Sequence, residues 1–307
     1  MRIVFFGTPE FADASLRALL RAGHEVVGVV TQPDRPQGRS RSAFVSPPVK
    51  TTAADAHLPV LQPERPVGDL FLAALRRLEP DLGVVVAYGH ILRREVLAVP
   101  RRGLVNVHAS LLPRLRGAAP IQWAIANGES ETGVSIMQMD AGMDSGPVYM
   151  RVRTPIAPDD TGGSLTRRLA DLGAHALLET LKDLVRGQPE PEPQDDRLAT
   201  YATKVTRETA RVDWSLDAPS VARRIRAFDP APGAWTTLEG ADIKLFGARA
   251  TAGSGIAGTV LEAGERLTIA AADGAVEIAD VQPAGRRRMP VAEWARGRGV
   301  ERGRRLA

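Results

Sequence analysis

The chain opens on an apolar run, Ile3-Val4-Phe5-Phe6, closed by Gly7. A short run without polar alternation fits a strand covered on both faces, as in a parallel sheet layered by helices. Thr8 reads as an N-cap with Pro9 at the first helical position. A helix is expected over 9–22, with Phe11, Leu16, Leu19 and Leu20 toward the core and Gly23 ending it. Glu25–Thr31 supplies the next strand. This β-α-β opening points to a Rossmann-like, mostly parallel sheet. Gly7-Thr8-Pro9-Glu10-Phe11 lacks the G-x-G-x-x-G spacing, so no dinucleotide is inferred. The pattern continues with helices near 49–56 and 69–78, strands at Val60-Leu61, Leu82–Ala87, Gly133–Met139 and Val148–Val152, and helices from Ile121 and over Leu165–Val185.

A length of 307 residues fits two domains. Hydrophobic and charged contents of 44% and 25% are those of a globular protein. No apolar run approaches the roughly 20 residues that span a bilayer, and the start is broken too soon for a secretory signal. Cysteine is absent, which excludes disulfides, thiolate nucleophiles and Cys-based metal sites. A cytoplasmic, monomeric protein is expected.

Gln188–Gln194, Q-P-E-P-E-P-Q, reads as an extended linker. The division expected is a sheet domain over 1–187, a linker over 188–204 and a smaller domain over 205–307. In the last, short strand candidates at Ile243–Phe246, Gly258–Leu261, Leu267–Ala270 and Val276–Val281 accompany one helix, Ala218–Ala227. That mixture fits a small β-barrel, with Trp214, Trp235 and Trp294 as packing residues.

The most informative stretch is Gly103–Pro120, G-L-V-N-V-H-A-S-L-L-P-R-L-R-G-A-A-P. Asn106 and His108, two apart on a strand, project from one surface. An amide donor beside an imidazole can polarise a carbonyl and hold the oxyanion formed on attack; a polar pair bonded to nearby backbone is the plainer reading. Asp144, in D-A-G-M-D-S-G-P, is by itself an ordinary turn aspartate. In the strand-end loop Tyr88-Gly89-His90-Ile91-Leu92, Gly89 permits close backbone approach to a ligand. Gln32–Val49 is long and basic, with Arg35, Arg39 and Arg41; it is either a solvated connection or a phosphate contact. The tail holds Arg286, Arg287, Arg288, Arg296, Arg298, Arg302, Arg304 and Arg305 against Glu293 and Glu301, a net of +6 where the whole chain has +4. A phosphate-tracking surface fits that excess, as does a merely soluble tail.

N-V-H followed by S-L-L-P, R-G and A-A-P resembles the signature of folate-dependent formyltransferases, most closely those acting on methionyl initiator tRNA. G-T-P-E-F-A, T-Q-P-D-R-P, D-A-G-M-D-S-G and the late Q-P-A-G-R extend the resemblance over nearly the entire chain. It implies a formyltransferase-fold sheet domain followed by an OB-like barrel. It implies a catalytic trio of Asn106, His108 and Asp144, in which Asp144 orients His108. It implies a folate pocket at Ser110, Leu111, Leu112 and Pro113, with Tyr88, Gly89, Ile91 and Leu92 alongside. Arg35, Arg39, Arg41, Arg286, Arg287 and Arg288 would meet the tRNA. The donor would be 10-formyltetrahydrofolate, with no metal; no H-E-x-x-H or Walker loop is present. The rivals are a formyltransferase acting on a small amine, such as a nucleotide sugar or glycinamide ribonucleotide, and a non-catalytic RNA-binding protein on the same scaffold.

Overall fold

The computed structural model describes residues 1–37, 43–187, 190–297 and 299–307. Arg39, Arg41, Arg298 and the first two residues of the expected linker lie outside them. The chain forms two compact units. The first comprises Met1–Gly117, Gly133–Thr154 and Arg167–Tyr201; the second comprises Ala118–Thr132, Pro155–Thr166 and Ala202–Ala307.

In chain order, the elements through the long helix are β1 (Ile3–Gly7), α1 (Glu10–Arg21), β2 (Val26–Val30), β3 (Arg35–Gln37), β4 (Ala43–Val45), α2 (Pro48–Asp55), β5 (Val60–Leu61), α3 (Asp69–Arg77), β6 (Leu82–Val86), α4 (Arg94–Leu97), β7 (Leu104–His108), β8 (Arg116–Gly117), α5 (Pro120–Ala126), β9 (Glu131–Gln138), β10 (Val148–Pro155) and α6 (Gly162–Val185). The first unit is built on a seven-stranded sheet of order β10-β9-β7-β6-β1-β2-β5. Strands β5, β2, β1, β6 and β7 run parallel, and β9 pairs antiparallel with β7. Every residue of β1 and β6 is buried, as expected of strands covered on both faces. Val4, Phe6, Val85 and Leu104 pack under Phe71, Leu72 and Leu75 of α3 and Val96 of α4. Burying each such side chain contributes about 1.5–3 kcal/mol. The chain runs from β1 outward to β5 and then returns to β6 on the other side. The topological switch point therefore lies between β1 and β6, where open α/β sheets bind ligands.

Thr8 does not cap α1. Pro9 occupies that position without a side-chain cap, and the Thr8 hydroxyl instead donates to the Tyr88 carbonyl at 3.1 Å across the switch point. The segment Gln32–Val49, read as a solvated connection or a phosphate contact, contains the β3–β4 hairpin. Its base is anchored by Asp34, which accepts from Lys50 Nζ at 2.6 Å and Gln62 Nε2 at 2.8 Å. Those two hydrogen bonds hold the Asp34 carboxyl below its usual range.

The second unit places its strands in two four-stranded antiparallel sheets. The run expected as one strand over Val276–Val281 is two, Ala275–Ile278 and Asp280–Pro283, in different sheets. Between them, the Ala279 amide donates to Phe246 O and its carbonyl accepts from Val291, which turns the chain from one sheet to the other. Three further strands, Ala234–Leu238, Arg249–Thr251 and Met289–Pro290, escaped the apolar pattern. The last residues bridge both sheets, Leu306 pairing with Leu238 and Arg305 with Thr259. The helix Ala218–Ala227 begins at Asp217, whose carboxylate accepts the Ser220 amide at 2.6 Å. Trp214 is buried with Nε1 on Thr236 Oγ1 at 3.1 Å, and Trp294 is buried too. Among the described residues no helix is long and apolar enough to cross a membrane.

Candidate catalytic site

Strand β7 carries Asn106 and His108 on one face, opposite Met137 and Ser135 of β9. A Cβ on Gly173 would come within 2.8 Å of Val107 Cγ1, so a glycine there lets α6 lie directly against the strand. Asn106 is half-buried, and its side chain has no hydrogen-bond partner among the described residues. His108 is only 6% exposed. Its Nε2 lies 3.0 Å from the Leu115 carbonyl, and its Nδ1 lies 3.7 Å from Asp144 Oδ2.

Asp144 comes from a loop shaped by its own first residue. The Asp140 carboxylate accepts from the Gly142 amide at 2.9 Å and from the Ser145 hydroxyl at 3.1 Å. A Cβ on Gly146 would stand 1.9 Å from Gln138 O, so only glycine fits where the loop rejoins β9. Asp144 itself has φ +50, the left-handed region uncommon for a side-chain-bearing residue. Its Oδ2 accepts the Gly117 amide at 2.8 Å. Asn106 and His108 thus share one face of β7, and the Asp144 carboxylate comes to the imidazole from a separate loop.

The loop after β7 is held from within. The Ser110 hydroxyl donates to Arg114 O at 2.6 Å, and the Ser110 carbonyl accepts from Ser135 Oγ at 2.7 Å. Ser135 Oγ accepts the Leu112 amide, and Arg151 Nε donates to Leu112 O at 2.7 Å. Leu112 is buried with Met137 and Val148. Leu111 and Pro113 remain half-buried, with Leu111 passing over Gly133. In the loop after β6, Tyr88 and Leu92 belong to the core, Tyr88 edge-on to Phe6 at 5.6 Å. Burial pushes the Tyr88 phenol up to about 12. Gly89, at φ +85, lies against Gln32, which donates to the Tyr88 carbonyl at 3.0 Å. Ile91 is 84% exposed. What these loops offer a ligand is therefore backbone, Leu111, Pro113 and Ile91, rather than every side chain named for them.

Beyond the carboxyl ends of β1 and β2 lies a cleft of about 300 Å³, lined by Thr8, Gln32, Arg35, Pro36, Val45 and Ser46, among others. Arg35 donates to Gln32 at its rim. In the second unit the three consecutive arginines differ sharply. Arg288 pairs with Asp229 at 2.8 Å and with Asp280 at 2.9 Å, and stacks on Phe246 at 4.2 Å. Arg287 reaches Glu293 at 3.3 Å, and Arg286 is exposed.

Sequence reasoning missed Arg116 and Gln194. The buried Arg116 guanidinium donates to Gln194 Oε1 and Asp196 Oδ1, while Gln194 Nε2 donates to the carbonyls of Asp144 at 2.8 Å and Gly146 at 2.6 Å. Arg116 lies inside the quoted motif. Nothing near Gln194 in the sequence signals its role.

The "Formyl transferase" family profile matches residues 1–181, and the "Formyl transferase, C-terminal domain" profile matches residues 204–299. The chain belongs to the formyl transferase family and is a transferase. Within that family it is similar to the methionyl-tRNA formyltransferase of Stutzerimonas stutzeri, at 51% identity over 92% of this chain and 90% of that one. It is also similar to the methionyl-tRNA formyltransferase of Geobacter sulfurreducens, at 45% identity over 100% of this chain and 96% of that one. Among solved structures, an N-formyltransferase from Helicobacter canadensis in complex with folinic acid and dTDP-3-aminofucose shares the fold: TM-score 0.70, 18% identity, 92% of this chain and 98% of that one. HypX from Aquifex aeolicus with tetrahydrofolic acid does so at TM-score 0.68 and 24% identity, covering 95% of this chain. The chain spans 46% of the length of HypX. At these identities both likenesses concern the fold alone.

Proposed function

We propose that this chain transfers the formyl group of 10-formyltetrahydrofolate to the α-amine of methionyl initiator tRNA. Residues 1–187 would bind the folate and carry the chemistry; residues 205–307 would hold the tRNA. The observation that carries the reading is the pairing of Asn106 with His108 on one face of β7, with the Asp144 carboxylate beside the imidazole.

In the reaction, the amine nitrogen attacks the formyl carbon and a C–N bond forms. The carbonyl electron pair moves to oxygen, giving a tetrahedral oxyanion. Asn106, whose amide has no hydrogen-bond partner among the described residues, donates a hydrogen bond to that oxygen. Both ring nitrogens of His108 face oxygen acceptors, Leu115 O and Asp144 Oδ2. A ring protonated at both nitrogens supplies positive charge beside the oxyanion, and the Asp144 carboxylate, 3.7 Å from Nδ1, balances that charge without a hydrogen bond. The attacking nitrogen then loses a proton, the bond from carbon to the folate nitrogen breaks, and that nitrogen is protonated as it leaves. The fit to a reduced pterin rests on the half-buried Leu111 and Pro113 and on the exposed backbone at Gly89. Arg35, Arg286 and Arg287 supply exposed positive charge for the acceptor's phosphates.

The test is formyl transfer by purified protein with 10-formyltetrahydrofolate and, in parallel, charged initiator tRNA, charged elongator tRNA, free methionine and a nucleotide amino sugar. Transfer to initiator tRNA well above the other acceptors is the expected result. Preference for the amino sugar, with a rate indifferent to salt between about 50 and 200 mM, would replace the acceptor.

A further inference from the structure

We infer that Gln194 is a positioning residue of the reaction, which holds Asp144 against His108; the inference rests on the catalytic reading of Asp144. Gln194 lies 50 residues beyond Asp144 and 78 beyond Arg116. An amide has two hydrogens and two lone pairs, and here all four are used. The hydrogens go to Asp144 O and Gly146 O; the lone pairs accept Arg116 Nε at 3.1 Å and Nη2 at 2.9 Å. The reversed orientation would face oxygen to two carbonyls and NH₂ to a guanidinium, so the chemistry fixes which way the group points.

The two carbonyls flank Ser145, so Gln194 grips the loop across the residue that follows Asp144. That grip matters because Asp144 sits at φ +50, a conformation that persists only when its surroundings over-determine it. The acceptor end reaches the site by a second route. Arg116 stands between Leu115, whose carbonyl faces His108 Nε2, and Gly117, whose amide meets Asp144 Oδ2. This short stretch is pinned in turn by Thr200, which accepts the Leu115 amide at Oγ1 and the Arg116 amide at its carbonyl. The two residues on which the distance between imidazole and carboxylate depends are thus both referred to the segment 194–200, read from sequence as a linker.

Gln194→Glu separates the two ends of the grip. It keeps the length and the acceptor for Arg116 but sets a carboxylate oxygen against two carbonyls. The expected result is a fall in kcat of roughly 10²-fold, the scale of a misplacement of about 1 Å, with the KM for both substrates little changed. Combined with Asp144→Asn it should add little to that single change, because both act through one group. Gln194→Ala, which introduces no charge, serves as the second variant. In both variants, hydrogen exchange of the Gly117 amide, followed by NMR, should accelerate while amides of β1 and β6 keep their protection. Unchanged Gly117 exchange in both variants overturns the inference whatever the kinetics. So does wild-type kcat in Gln194→Glu beside a crippled Asp144→Asn. Wild-type kcat in Asp144→Asn removes the catalytic reading instead, and the Gly117 amide still decides whether Gln194 holds the loop.

Discussion

His108 Nδ1 stands 3.7 Å from Asp144 Oδ2, too far for a hydrogen bond, and that same oxygen accepts the Gly117 amide at 2.8 Å. The carboxylate is therefore placed by backbone and acts on the imidazole through charge. Contacts of this kind often tighten only when substrate is bound. Asp144→Asn keeps an oxygen for Gly117 and removes the charge. It should lower kcat by roughly 10²–10⁴ while leaving the fold and melting temperature near wild type. Steady-state kinetics alongside thermal denaturation checks this; undiminished kcat would show that the charge has no part in the reaction.

Asn106 offers the complementary case. Its side chain bonds to nothing among the described residues, so truncation leaves no orphaned partner behind. Loss of one oxyanion donor typically costs about 2.7–4 kcal/mol of transition-state stabilisation. Asn106→Ala should slow turnover by roughly 10²–10³ with folate affinity retained. Single-turnover rates and folate titration separate the two quantities. A weakened folate Kd with intact turnover would make Asn106 a binding residue only.

Asp34 gives a pH prediction. Hydrogen bonds from Lys50 and Gln62 lower its carboxyl below the ordinary 3.8. A carboxylate depressed in the folded state contributes stability that is present above its unfolded value and lost as pH falls through the folded one. The hairpin base should therefore stay fastened as pH falls to 3.8 and release only below it. The Asp34 carboxyl shift followed by NMR should titrate below 3.8 and return toward it in Lys50→Met. An ordinary midpoint in the wild type would mean the anchor does not hold in solution.

What could be read ahead of the structure was local. Burial of β1 and β6 follows from their unbroken apolar runs, and the pairing of Asn106 with His108 on one face follows from strand period alone. The approach of Asp144 to His108 came from resemblance, not from any periodicity. Thr8 had the right residue type for a cap, but a tertiary acceptor, the Tyr88 carbonyl, took its hydroxyl. The strand break at Ala279 was hidden because Val276 and Ile278 before it and Val281 after it are all apolar and buried, so the pattern runs through the break. The Gln194 grip was illegible for a stronger reason: both its ends meet partners distant in sequence, and a polar residue in a proline-rich run gives no sign of them.

The arginines at 286–288 look alike in sequence and should behave oppositely. Asp229 is 5% exposed, and Arg288 is its ion-pair partner. Arg288→Ala leaves that buried carboxylate short of donors, which typically costs about 1–3 kcal/mol. Its effect on tRNA binding should track the loss of stability and leave the salt dependence as it was. Arg286 is exposed, so Arg286→Ala should not move the melting temperature. If it meets a phosphate, the slope of log affinity against log salt should shrink by about 1. Melting curves and tRNA titrations over a range of salt distinguish the two behaviours. A reduced salt slope in Arg288→Ala at unchanged stability would reassign that side chain to the nucleic acid, and would mean that the Asp229 and Asp280 pairs give way when tRNA is bound.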